Sequence, residues 1–168
     1  MVRVPDAIFA HRRLAPVYDA FGRERGDLAA YLGLAEELGA ERVLDVGRGT
    51  GSLGVLLAQA GRTVMAVDPA RASLEVAKAK DGAAAVTWVC AGAGQVPLFD
   101  ADLAVMTGNV AQVFLVDDEW ERVLLAVRAA LRPGGFLAFE TRRPERRAWE
   151  EWASDAGPVV LEVREPVR

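Results

Sequence analysis

Five short apolar runs punctuate the chain, at residues 43–46, 63–67, 86–90, 103–107 and 135–140, and they are near-continuous rather than alternating. A strand with one solvated face alternates apolar and polar residues. A near-continuous run suits a strand covered by helices on both faces. Apolar residues recur at helical spacing over 52–60, 70–79 and 117–130, between the runs. Such alternation implies right-handed crossovers and the α/β class, with a doubly wound, mostly parallel sheet of about six strands. Residues 6–40 read as two helices. The second runs from about Asp27 to Leu38, with Leu28, Tyr31, Leu32, Leu34, Ala35 and Leu38 at helical spacing and Gly39 as its stop. After Thr141 an arginine-rich helix start runs from Arg142 to Trp149, and Gly157 to Arg164 alternates like a half-exposed sixth strand. The expectation is one domain, 1–168: a helical lid over 1–40, a core over 41–141, and a helix plus a last strand over 142–168.

The first apolar run leads into Asp45-Val46-Gly47-Arg48-Gly49-Thr50-Gly51, and a helical pattern starts at Ser52. A strand that stops at a glycine-rich turn and re-enters as a helix brings backbone N–H groups and a helix N-terminus to a ligand. The next strand ends at Asp68, seventeen residues past Gly51. An acid at the second strand tip, about 20 residues past the glycines, is the usual partner of ribose hydroxyls. Gly49-Thr50-Gly51-Ser52-Leu53-Gly54 also matches the dinucleotide pattern G-x-G-x-x-G. Charge separates the two readings. A carboxylate roughly 5 Å from a pyrophosphate costs about 3 kcal/mol at an effective dielectric of about 20. Asp45, four residues before Gly49, therefore favours a cofactor bearing an ammonium and a sulfonium over NAD.

At these residues the chain resembles the class I S-adenosylmethionine-dependent methyltransferases. Val43 to Gly51 is similar to that family's first motif, and Val64 to Ala70 to its ribose-binding motif. Asp102 to Asn109 resembles its fourth strand and substrate-facing end, and Leu131 to Leu137 the turn that opens its fifth strand. The resemblance spans about residues 15–141. It implies S-adenosyl-L-methionine as cofactor, held by Asp45, Gly47, Arg48, Gly49, Thr50, Gly51, Asp68, Pro69, Ala93, Gly94, Thr107, Gly108 and Asn109, with Tyr18 on a helix that closes over it. Two positions depart from the pattern. Position 48 is usually small or a cysteine in such proteins, and here it is Arg48, placed either to clamp the cofactor carboxylate or to crowd the pocket. The position whose acid usually accepts from the adenine amino group matches Ala93, with Gln95 nearby as another acceptor. The resemblance also implies a seventh, antiparallel strand, for which no residues remain. Asp68 has a second reading as a cap for the following helix.

Composition narrows the chemistry further. A length of 168 residues suits one domain, and 52% hydrophobic with 26% charged residues is ordinary for a packed fold. A formal net charge of −4 disfavours non-specific affinity for nucleic acid or anionic membranes. No run approaches the length needed to span a bilayer, and Met1 to Asp6 lacks a signal-peptide apolar core, so the expected setting is cytoplasmic. Cys90, the single cysteine, lies in an expected strand and reads as an inert core thiol. His11, the single histidine, sits beside Arg12 and Arg13 and reads as a solvated residue. No metal constellation is visible.

Methyl transfer is in-line displacement at an already activated carbon, so a general base is not required. In such a family, amino methylation of nucleobases goes with an Asn-Pro-Pro-Tyr-like segment, where this chain has Thr107-Gly108-Asn109-Val110-Ala111. Methylation of cytosine carbon needs a cysteine there. A small-molecule acceptor is the expected partner, with no catalytic residue identified. A cofactor-binding relative without turnover and an NAD(P)-dependent oxidoreductase stand as alternatives. The open edge of the fifth strand is expected to be covered by Val159 to Val163 or by a second copy in a homodimer.

Overall fold

The computed structural model describes residues 5–21, 26–142, 145 and 147. Five parallel strands, β1 (Arg42–Val46), β2 (Thr63–Val67), β3 (Val86–Val89), β4 (Ala101–Met106) and β5 (Leu131–Phe139), form one sheet in the order β3-β2-β1-β4-β5. The helices are α1 (Ala7–Ala10), α2 (Ala15–Phe21), α3 (Asp27–Glu37), α4 (Ser52–Gln59), α5 (Arg71–Lys78) and α6 (Asp117–Ala130). Short 3₁₀ turns cover Ala83–Ala85, Ala93–Gln95 and Val110–Val113.

Each buried strand serves two cores, because successive side chains point to opposite faces. Val43, Val64, Ala66, Leu103 and Val105 pack with Leu28, Tyr31 and Ala35 of α3 and Leu53 and Leu57 of α4. Leu44, Val46, Val67, Ala104 and Met106 pack with Val123, Val127 and Ala130 of α6. The chain runs outward from β1 through β2 to β3, then crosses to the other side of β1 for β4. The carboxyl ends of β1 and β4 therefore flank the topological switch point, where a doubly wound sheet opens its ligand crevice.

Two expectations change. Residues 6–40 hold three helices rather than two, since Leu14 and Ala15 N–H groups both donate to the His11 carbonyl and divide α1 from α2. The described residues supply five strands of the sheet; the expected 159–163 strand lies outside them, as does the expected 142–149 helix except at positions 142, 145 and 147. β5 begins at Leu131, not at 135, because Leu131 already pairs with Ala101 before a register shift. Gly135 permits that shift: a Cβ there would stand 2.8 Å from the Ala101 carbonyl oxygen.

Candidate cofactor site

Beyond the carboxyl ends of the strands lies a cavity of about 350 Å³. Its floor is the turn between β1 and α4. The Gly47 N–H donates to the Val67 carbonyl at 2.8 Å, locking the turn to the end of β2. Gly49, at φ +53°, lines the cavity with nothing within 4 Å of where a Cβ would stand, so the missing side chain is room for a ligand. Gly51 caps α4 at φ +77°, and a Cβ there would stand 2.7 Å from the Trp88 ring.

Asp68 is 7% exposed and lies at the β2 tip. Its Oδ2 accepts from the Gly49 N–H at 2.9 Å, and its Oδ1 from the Ala70 N–H at 2.7 Å. The carboxylate thus ties the two ligand-binding turns together and also serves the start of α5, so the ribose and capping readings are geometrically compatible. Burial pushes its pKa up; the Ala70 N–H, the Arg48 charge and the Gly49 N–H act against that.

Arg48 lines the cavity. Its guanidinium stacks on Trp88 at 4.7 Å and donates from Nη1 to the Gly49 carbonyl of its own turn at 2.8 Å. The residue is 6% exposed, and burial lowers its pKa while Asp68, then Asp45, hold it charged. Asp45 is 1% exposed and does not line the cavity; Gly54 of α4 packs against its carboxylate. The Asp45 charge is partly offset by Arg48, with which it interacts electrostatically.

The roof comes from the first helices. Tyr18 lines the cavity and packs on Phe9 with ring centroids 4.9 Å apart. The Thr50 hydroxyl donates to the Asp19 carboxylate, whose other oxygen pairs with Lys80 at 2.8 Å. Lys80 also donates to Ser52 at 2.8 Å, and the Ser73 hydroxyl donates to the Phe9 carbonyl at 2.9 Å. α1 and α2 are thus latched to both the glycine turn and α5.

Of the residues expected at the site, Tyr18, Gly47, Arg48, Gly49, Thr50, Asp68, Pro69, Ala93, Gly94, Thr107 and Gly108 line the cavity, whereas Asp45, Gly51 and Asn109 do not. Asn109 adopts φ +63° and opens a 3₁₀ turn. Its N–H and that of Gly108 share the Glu140 carboxylate, at 3.3 and 2.7 Å. Cys90 is exposed at the end of β3 rather than a core thiol, because the strand stops at Val89. His11 is exposed, its Nδ1 accepting from the Arg13 N–H at 3.3 Å. The wall that sequence reasoning missed is Val113, Phe114, Glu119, Arg122 and Val123. The one available signal was the spacing of 119, 122 and 123 along one helix face.

Residues 43–135, more than half of the chain, match the family described as Methyltransferase domain. The chain belongs to the class I S-adenosylmethionine-dependent methyltransferases. The literal G-x-G-x-x-G is thus part of a methyltransferase turn. A ubiquinone/menaquinone biosynthesis C-methyltransferase from Rubrivivax gelatinosus is 31% identical over 153 residues, covering 88% of this chain and 57% of the relative. An uncharacterized methyltransferase of Mycobacterium tuberculosis is 33% identical over 135 residues, covering 77% and 50%. The methyltransferase thus spans about half the length of the curated relatives it matches. Among solved structures, the S-adenosylmethionine-bound amino pentose methyltransferase of Micromonospora echinaspora superposes with a TM-score of 0.68 at 26% identity, covering 77% of this chain and 58% of that one. The cofactor is S-adenosyl-L-methionine, and the residues present fit it: an acid at the β2 tip, a glycine cradle and a cavity in the size range of small-molecule sites. No helix among the described residues is long and apolar enough to cross a membrane.

Proposed function

We propose that this methyltransferase transfers the methyl group of S-adenosylmethionine to a small-molecule acceptor. The observation that carries this is the meeting of the Gly49 N–H and the Asp68 carboxylate in the wall of a roofed cavity. When bound, the cofactor supplies a methyl carbon activated by a sulfonium leaving group. What remains for the protein is to bind, to orient and to exclude water. Asp68 would hold the ribose, the glycine turn would admit the amino-acid portion, and Phe9 and Tyr18 would keep the approach dry. Thr107 and Gly108, at the end of β4, are the small residues beside which an acceptor would come. Relatives include a ubiquinone/menaquinone biosynthesis C-methyltransferase, a malonyl-[acyl-carrier protein] O-methyltransferase and an amino pentose methyltransferase, and the first and last of these names favour a small acceptor.

The buried Arg48, with no counterpart in the usual motif, favours one other reading: a protein that holds the cofactor without turnover. One experiment separates the two. The chain is incubated with labelled S-adenosylmethionine and a panel of amines, phenols and carboxylates, and affinity for S-adenosylhomocysteine is measured in parallel. Methyl incorporation into any small acceptor supports the enzyme. Tight binding with no incorporation across the panel supports the binder.

A further inference from the structure

We propose that Glu119 is the residue that reads the amino group of the cofactor's adenine, from the wall opposite the segment where an acid is missing. This rests on the S-adenosylmethionine reading of the cavity. Three carboxylates line that cavity among the described residues: Asp6, Asp68 and Glu119. Asp68 accepts two backbone N–H groups and marks the ribose position, and Asp6 belongs to the roof beside Phe9. The cavity lining comes from two groups of elements beside Asp68. One is the glycine turn with Phe9 and Tyr18 of the first helices. The other is the 3₁₀ turn at Ala93–Gln95 with the start of α6, which pack against each other.

The second group has the character of a base pocket. Phe114 and Val123 offer apolar faces for a flat ring, while Gly92, Ala93 and Gly94 have no side-chain acceptor. An adenine edge presents an N–H donor, and a buried donor left without an acceptor loses most of its binding value. Glu119 is the carboxylate on this side. It is half-buried, whereas Asp117 and Asp118, its neighbours in the first turn of α6, are exposed, so those two suffice to complement the helix dipole. Its direction is fixed by the next residue: Trp120 stacks on Phe114 at 5.7 Å and meets Phe139 edge-on at 5.6 Å, which sets the rotation of α6. Arg122 occupies its own Nε on the Asp118 carbonyl at 2.9 Å.

Calorimetric titration with S-adenosylhomocysteine and with its deaminated analogue, S-inosylhomocysteine, tests this. Hypoxanthine presents a carbonyl where adenine presents the amino group. The wild-type chain should prefer the adenine compound by about tenfold or more, the effect of one hydrogen bond to a charged group. Glu119→Leu should bring the ratio close to unity by weakening the adenine compound alone. Glu119→Gln, whose amide both accepts and donates, should also erase the preference while keeping both compounds bound. Gln95→Ala should leave the preference in place. A ratio that persists in both Glu119 variants overturns the assignment, as does equal weakening of the two compounds or loss of preference in Gln95→Ala instead. A wild-type chain that binds neither compound overturns the cofactor reading itself, a separate and recognisable result.

Discussion

Asp68 concentrates most of the site's chemistry in one carboxylate. It joins the glycine turn to the start of α5, and its pKa is raised by burial. Holding ribose hydroxyls requires the ionised form. Cofactor affinity should therefore fall as pH drops through this raised value, beginning above the ordinary aspartate range. Asp68→Ala should weaken S-adenosylhomocysteine at least about tenfold, since a hydrogen bond to a charged group is worth about 1.5–3 kcal/mol. An unchanged dissociation constant would return the residue to capping alone. Asp68 was legible in the sequence because a strand tip and a glycine turn are local patterns. The fates of Asp45 and Arg48 were not. Both lie in the same motif and both are buried, and Trp88 from β3 supplies the surface on which the Arg48 guanidinium stacks. That partner is forty residues away in the chain and only the sheet brings it there. Glu119 escaped sequence reasoning for the same reason: it becomes a wall only when α6 folds across the crevice.

At the level of elements, the described strands and α4 to α6 were legible because each buries an uninterrupted apolar run or stripe. The division of 6–40 into three helices and the early start of β5 depend on single hydrogen bonds and one tight approach, which periodicity does not record. Two substitutions test what fixes the elements. Gly51→Ala places a Cβ at φ +77° and 2.7 Å from Trp88. It should cost at least about 1 kcal/mol from the left-handed conformation alone, with more from the clash, read as a lower denaturant midpoint. Asp102 joins three strands at their starts. Its Oδ2 accepts from the Glu41 and Arg42 N–H groups at 2.9 and 2.8 Å, and its Oδ1 accepts from Arg132 at the head of β5. Arg132 chiefly, then the Arg42 N–H, lowers the Asp102 pKa. A lowered carboxylate pKa contributes stability that is present above the unfolded-state value and lost as pH falls through the folded-state value. Asp102→Asn should flatten that acid limb. It should also cost about 1 kcal/mol at neutral pH, because the amide oxygen still accepts from the two backbone N–H groups, though less strongly than a carboxylate, and the Arg132 pair is partly exposed and screened. Urea titrations at neutral and acid pH read both effects, and parallel curves for the two proteins would exclude the role.

At the scale of the whole molecule, the feature with the largest consequence is the outer edge of β5. Among the described residues β5 pairs only with β4, and it presents Phe136 at 50% and Phe139 at 46% exposure. An edge of nine residues with two half-exposed aromatic rings offers unpaired donors and acceptors next to apolar surface, a template for another strand. Covering it is worth more than the pairing alone, because Phe139 also holds Trp120 and through it the start of α6. We expect a second copy of the chain to take this edge, giving a homodimer across paired β5 strands, an arrangement that closes on itself by two-fold symmetry. Sedimentation equilibrium should show dimer, and Phe136→Lys should shift it towards monomer, since edge lysines oppose strand-to-strand association. Lysine at Phe136 should leave Asp68 and the glycine turn intact, so affinity for S-adenosylhomocysteine should persist in the monomer. A wild-type chain that stays monomeric at high concentration would reject the dimer.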